Sequence, residues 1–152
     1  MKYLLILFVV ALAMAPLTHF LPSKRQRLVA KMREYAAVHG LFVEFRSVPV
    51  RGGREAGKSR DQNTIYYGKR LPPSNRERRS RTAWLPDGQS WRSLENRVAA
   101  PAIVTQLPAS ILAISLDEGS CGAYWQEAGD EADVQQIVAC LEAWQEQLLE
   151  ER

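Results

Sequence analysis

The sequence predicts an α+β fold made of one N-terminal transmembrane helix and a small antiparallel sheet packed by two helices. Three observations lead to this prediction. The chain begins with an apolar run over residues 3–21. Short segments with period-two alternation follow it, and one segment on each side of them repeats apolar residues at helical spacing. The expected organisation is an anchor over residues 1–22 and a soluble α+β domain over residues 23–152.

The N-terminal run carries no charged side chain between Tyr3 and Leu21. As a helix it rises about 28 Å, close to the ~30 Å hydrocarbon core of a bilayer. Basic residues follow within a dozen positions and resemble the flank that stays on the cytoplasmic side of a membrane. We therefore expect a single-span protein of the bacterial inner membrane with a cytoplasmic C-terminal domain. The residues expected to contact anionic phospholipid headgroups are Lys24, Arg25, Arg27, Lys31 and Arg33.

A cleaved signal peptide is the alternative interpretation of the same run. Ala13-Met14-Ala15 has the small-x-small arrangement that signal peptidases recognise, although Pro16 follows directly. Cleavage makes the domain secreted or periplasmic, where Cys121 and Cys140 can form one disulfide. In the cytoplasm both remain reduced thiols. The oxidation state of this pair therefore tests the topology.

Charge is distributed unevenly along the chain. Residues 1–100 carry 19 Lys plus Arg against 7 Asp plus Glu, whereas residues 101–152 carry 1 against 10. This asymmetry predicts a basic face toward anionic lipid and an acidic C-terminal helix toward a protein partner. Nucleic acid is the less favoured partner of the basic region, because an apolar membrane segment lies beside it.

The segments of the domain follow from periodicity and turn residues. A helix is expected from Ser23 to His39, a strand from Leu41 to Phe45, a second short strand over 64–67, and two strands over 110–116 and 120–126. The Pro-Asp-Gly of 86–88 suits a tight turn, so a small hairpin or an irregular loop is expected there. The final helix begins after Asp130, a good N-cap. Basic, apolar-poor loops are expected over 51–63 and 72–82.

One motif suggests chemistry. Residues 52–59 match the phosphate-loop pattern GxxxxGK[ST], with Gly52, Gly57, Lys58 and Ser59 at its defining positions. Asp117 and Glu118 follow an apolar run and mimic the acidic pair that holds magnesium in such enzymes. The context opposes this interpretation, because a phosphate loop follows a buried parallel strand and opens a helix. Nucleotide binding through Gly52 to Ser59 is therefore the alternative hypothesis.

An apolar N-terminal span that runs into Leu21-Pro22-Ser23-Lys24-Arg25-Gln26-Arg27 and a helix ending at Gly40 resembles the YajC-type accessory subunit of the bacterial preprotein translocase. The resemblance covers roughly the first 45 residues. It implies a translocase accessory role, which is a further alternative. Small uncharacterised single-span bacterial membrane proteins are similar in the same general way.

The leading functional prediction is a non-enzymatic accessory or scaffold protein without a cofactor. No Ser-His-acid, Cys-His-acid or metal-ligand set can be assembled from His19, His39 and the two cysteines by position. The process that the protein serves and the identity of its protein partner stay open.

Overall fold

The computed structural model describes residues 1–18, 22–50, 63–73, 81–95 and 98–150. Within them the chain is α+β, with one six-stranded antiparallel sheet and three α-helices. The helices are α1 (Lys2–Thr18), α2 (Lys24–Val38) and α3 (Glu131–Glu150). The strands are β1 (Leu41–Phe45), β2 (Ile65–Arg70), β3 (Thr82–Asp87), β4 (Ser90–Ser93), β5 (Ala113–Leu116) and β6 (Ser120–Trp125).

The prediction of a transmembrane helix is wrong. In the part of the chain that the structure describes, no helix has both the length and the apolar character needed to cross a bilayer. Helix α1 is 17 residues long and ends at Thr18, which gives a length of about 26 Å against a hydrocarbon core of ~30 Å. Residues 19–21, which the predicted span needed to reach this thickness, lie outside the described residues.

The strands are ordered β1-β2-β6-β5-β3-β4, and every neighbouring pair is antiparallel. Sequence-adjacent strands form hairpins at β3–β4 and β5–β6. The Pro-Asp-Gly segment forms the turn of the first hairpin, where Gly88 has a φ of +65° that a residue without a Cβ adopts at little cost. Strand β6 lies in the middle of the sheet, between β2 and β5.

Alternation along the strands separates two apolar clusters. The larger one fills the space between the sheet and helices α2 and α3, and it contains three buried tryptophans, Trp84, Trp125 and Trp144. The smaller one lies on the opposite face of the sheet and is built from Tyr66, Ala113 and Tyr124. A short 3-10 helix, Ala102–Gln106, packs against α3.

The helix ends are set by local chemistry. Helix α2 begins with a capping box, in which the Ser23 hydroxyl accepts from the Gln26 amide and the Gln26 side chain accepts from the Ser23 amide. It ends at Val38, and Gly40, two residues later, has a φ of +73°. Helix α3 begins after Asp130, whose carboxylate accepts from the amides of Ala132 and Asp133. Helix α2 therefore begins and ends close to the predicted positions, and α3 begins where the sequence predicted.

Candidate functional site: an exposed apolar helix and a clamped basic helix

Helix α1 exposes apolar side chains along its first three turns. The fractional exposure of its large apolar residues from Met1 to Leu12 runs from 54% at Val10 to 107% at Met1. Four consecutive residues, Tyr3 to Ile6, are all more than half exposed. Because successive residues are about 100° apart around a helix, four in a row cover its whole circumference. Apolar surface therefore faces outward on every side of this part of α1.

Helix α2 begins with a concentration of positive charge. Lys24, Arg25 and Arg27 lie in or next to its first turn, which contains no acidic residue. The N-terminal end of a helix already carries a partial positive charge from its aligned peptide dipoles. Cations placed there are destabilising unless an anion approaches them. The start of α2 is therefore strongly electropositive.

The middle of α2 is fixed to the domain by an ion pair in which the carboxylate is buried and the guanidinium is partly exposed. Arg33 donates from Nε and Nη2 to the two carboxylate oxygens of Glu127, over 2.7 and 2.6 Å. The Tyr67 hydroxyl donates to Glu127 Oε1 over 2.8 Å. Glu127 is 4% exposed and has a φ of 50°, so the backbone adopts a rare conformation where its side chain enters the pair. We call Arg33, Glu127 and Tyr67 the clamp.

The clamp changes the proton affinities of its members. The hydrogen bonds to Glu127 raise the pKa of the Arg33 guanidinium above its ordinary value, although burial opposes this effect. Burial, followed by the adjacent carboxylate, raises the pKa of Tyr67 far above that of a free phenol. At neutral pH the clamp therefore contains a charged guanidinium and a neutral phenol.

Other predicted headgroup residues also contact the segment from Glu127 to Glu131. Arg25 donates from Nη1 to the carbonyl of Gly129 over 2.9 Å, and Lys31 lies 3.7 Å from Glu131 in an exposed ion pair. Lys24 and Arg27 are exposed on α2. The structure therefore brings three of the five predicted headgroup residues against the start of α3.

Ion pairs elsewhere also join the basic and acidic halves of the sequence. Lys69 Nζ lies 3.3 Å from Glu142 and donates to the His39 carbonyl over 2.5 Å. Asp117 pairs with Arg46 and Arg81 at 3.6 and 3.2 Å. Several basic residues of the first part of the chain thus pair with acidic residues of the last part. The sequence alone had suggested that both sets of charges face outward.

The face of the sheet opposite the helices contains a flat slot. Gly68 and Gly122 are paired across β2 and β6, and the Tyr66 ring lies over both of them. A Cβ at Gly122 would come within 2.4 Å of Tyr66 Cζ. The Arg46 guanidinium stacks on the outer side of this ring, with Cζ 4.2 Å from its centroid. The rings of Tyr66 and Tyr124 are buried on this face, with exposed fractions of 0% and 2%.

The phosphate-loop residues Gly52, Gly57, Lys58 and Ser59 lie outside the described residues. Their flanking strands are described, and β1 and β2 are antiparallel neighbours. A phosphate loop instead joins a parallel strand to a following helix. Asp117 and Glu118 lie between β5 and β6, where Asp117 pairs with arginine. The basic loops 51–63 and 72–82 are likewise described only at Asn63, Pro72, Pro73, Arg81 and Thr82.

Neither Cys121 nor Cys140 is in a disulfide, and both are buried. Cys140 donates from Sγ to the Ile103 carbonyl, and burial raises the pKa of this thiol to about 11. Among the described residues, no group of three or more His, Cys, Asp and Glu side chains is arranged to hold a metal ion.

Comparisons of the chain with models of known families, with curated proteins and with solved structures gave no match. The similarity to the YajC-type subunit therefore stays a prediction from the N-terminal residues.

Two features of the site were missed by sequence reasoning. Glu127 was assigned no role, because it lies in an irregular segment between a strand and a helix. The Gly68–Gly122 slot requires the register of β2 against β6, which one sequence does not supply. Tyr66 and Gly68 are two residues apart on a strand, so their side-chain positions share one face of the sheet. This spacing was the only feature of the sequence that indicated a contact between the ring and the glycine.

Proposed function

We propose that this protein is a non-enzymatic accessory protein that associates with lipid through helix α1. The observation that carries the proposal is the exposure of apolar side chains around the whole circumference of α1. Burying apolar surface is favourable by about 25 cal/mol per Å², so such a helix is stable only where other apolar matter surrounds it.

The distribution of apolar residues on α1 favours lipid over a protein groove. A groove covers one side of a helix, and helices that bind grooves carry a polar face toward water. Helix α1 has no such face between Tyr3 and Leu12. Apolar association with acyl chains is non-directional and does not require such a face. Lipid therefore matches the surface that α1 presents.

The predicted protein partner of α3 has less surface available than the sequence suggested. Glu131 pairs with Lys31 and Glu142 pairs with Lys69, so these two carboxylates of the helix already have partners within the domain. Glu146 and Glu150 are exposed in its last turns. We propose that a basic partner surface contacts α3 at these two carboxylates.

Co-flotation of the full-length chain with vesicles tests the lipid proposal. The chain is produced by cell-free translation in the presence of phosphatidylcholine vesicles. These vesicles carry no net charge, so electrostatic attraction to their surface does not contribute to binding. The variant Leu5→Glu/Val9→Glu places two carboxylates one turn apart on α1. We expect the floating fraction to fall at least tenfold, because charged groups are costly to transfer into hydrocarbon.

The matched control is Val38→Glu/Val98→Glu, which adds the same charge at two exposed apolar positions outside α1. This control should float like the unmodified chain. Failure of the unmodified chain to float, or equal losses in both variants, would overturn the proposal.

A further inference from the structure

Strand β1 forms one edge of the sheet. In the part of the chain that the structure describes, its only neighbouring strand is β2. Proteins commonly protect such an edge from further pairing with Pro, Lys or a bulge. The sequence of β1, Leu-Phe-Val-Glu-Phe, contains neither Pro nor Lys, and its register against β2 is continuous. The outer side of β1 is therefore suited to accept a further strand.

The last residue of β1 is an aromatic side chain that the domain does not bury. Phe45 is 76% exposed, more than any other described aromatic residue outside α1. It shares the helix-covered side of the sheet with Leu41 and Val43, which pack in the larger apolar cluster. Arg33 Cζ lies 5.8 Å from the centroid of the Phe45 ring on this side. Because burial of an aromatic ring is favourable, Phe45 favours an apolar partner at this edge.

The other side of β1 carries two opposite charges. Arg46, which directly follows the strand, donates from Nε to Glu44 Oε2 over 2.8 Å. The two side chains remain 33% and 48% exposed. When a strand pairs antiparallel with its own copy about a given residue, the residues on either side of that residue lie opposite each other. A pairing about Phe45 therefore places Glu44 of each copy opposite Arg46 of the other, which is a favourable cross-strand pair.

The same register also matches the apolar residues. It places the two Phe45 rings opposite each other on the helix-covered side of the sheet. On the other side it places Phe42 opposite Val48, and both of these residues pack against the smaller apolar cluster of their own domain. A register about Val43 would instead place Glu44 opposite Phe42. Charge and apolar surface thus agree on one arrangement, and the partner that supplies it is a second copy of this chain.

We infer that β1 is the interface of a two-fold symmetric dimer, in which two copies of the chain pair antiparallel about Phe45 and join their six-stranded sheets. A two-fold contact of this kind closes on itself. Pairing of β1 with the other edge strand, β4, would instead continue from copy to copy. The inference does not depend on the association of α1 with lipid.

The first test measures the protein mass of the full-length chain by light scattering in nonionic detergent, which covers the apolar side chains of α1. The unmodified chain should have twice the 17.2 kDa of one chain. The variant Phe45→Lys should raise the dissociation constant of the dimer by about tenfold or more, because two ammonium groups replace two buried rings. Val98→Lys adds the same charge at another exposed apolar position and should leave the constant within about twofold.

The second test uses a cysteine at the two-fold axis. Residues directly opposite in an antiparallel pair have Cα atoms about 4.5–5.5 Å apart, which is within the range that a disulfide spans. Phe45→Cys should therefore form a disulfide-linked dimer under oxidation by copper-phenanthroline in air. Val98→Cys and the unmodified chain, whose own cysteines are buried, should stay monomeric on a non-reducing gel.

Three results would overturn the inference. The first is an unmodified chain with the mass of one copy, and the second is a dimer that persists unchanged in Phe45→Lys. The third is equal cross-linking of Phe45→Cys and Val98→Cys. None of them bears on co-flotation with vesicles, so the proposal for α1 is tested separately.

Discussion

Arg33 and Glu127 are 94 positions apart in the sequence, and their side chains meet in a two-fold hydrogen-bonded pair with distances of 2.7 and 2.6 Å. The pair joins the middle of α2 to the segment between β6 and α3. Paired geometry of this kind is the strongest form of arginine–carboxylate contact. It ties the orientation of α2 to the packing of the whole domain.

Replacing Glu127 by Gln should destabilise the domain by about 2–3 kcal/mol. The change leaves Arg33 charged without a counter-ion, and breaking a fully buried pair costs about 3–5 kcal/mol. We expect less than that because the Arg33 side chain is 39% exposed. Urea unfolding followed by the fluorescence of the buried tryptophans measures the loss. Glu146→Gln, at an exposed position, should stay within about 0.5 kcal/mol of the unmodified chain.

Replacing Gly122 by Ala should destabilise the domain by about 1–3 kcal/mol, the usual range for overpacking. The new Cβ would lie 2.4 Å from Tyr66 Cζ and 2.5 Å from the Tyr67 carbonyl oxygen. The second contact is with backbone, so the added variant Tyr66→Ala should not restore stability. Gly119→Ala is the matched control, since its Cβ would meet nothing within 4 Å. Equal stabilities of the Gly122→Ala and Gly119→Ala variants would contradict the close packing of Tyr66 and the Tyr67 carbonyl over Gly122.

The stability of the domain should fall as the pH rises from about 10 to about 12. Burial raises the pKa of Tyr66 from 10.0 to about 12, so in this window the unfolded chain releases a proton that the folded chain keeps. Linkage then favours the unfolded state by about 2–3 kcal/mol by the end of the window. Urea titrations at several pH values should show a shallower slope for Tyr66→Phe over this window.

Cys140 provides the control for that pH dependence. Its pKa is raised from 9.0 to about 11, so its contribution is lost over a window that begins one unit lower. Cys140→Ala should reduce the loss between about pH 9 and 11 and leave the loss near pH 12 in place. A slope near pH 12 that is the same in Tyr66→Phe and in the unmodified chain would contradict the assignment to Tyr66.

The sequence predicted correctly those helices and strands that are determined by residues close together in the chain. The Ser23 cap, the alternation from Leu41 to Phe45 and the apolar stripe after Asp130 each depend on neighbours within a few residues. The predicted strand before Leu116 began too early, because residues 110–112 are outside β5. At the N-terminus the predicted helix was too long. The apolar run continues to residue 21, whereas the described helix ends at Thr18.

Contacts between distant residues could not be predicted. The pairs of Arg33 with Glu127 and of Asp117 with Arg81 depend on which strands become neighbours. Composition revealed that the two halves have opposite charge, but it does not distinguish charges that face each other from charges that face water. The predicted headgroup set therefore included Arg33, whose guanidinium pairs with Glu127 within the domain.

The central position of β6 affects the order of events during synthesis. Strands β1 and β2 can pair early, and β3, β4 and β5 can form a second piece, but the two pieces are joined only when residues 120–125 have left the ribosome. Glu127 emerges later still. Helix α1 therefore meets the surroundings of the nascent chain well before the globular part closes.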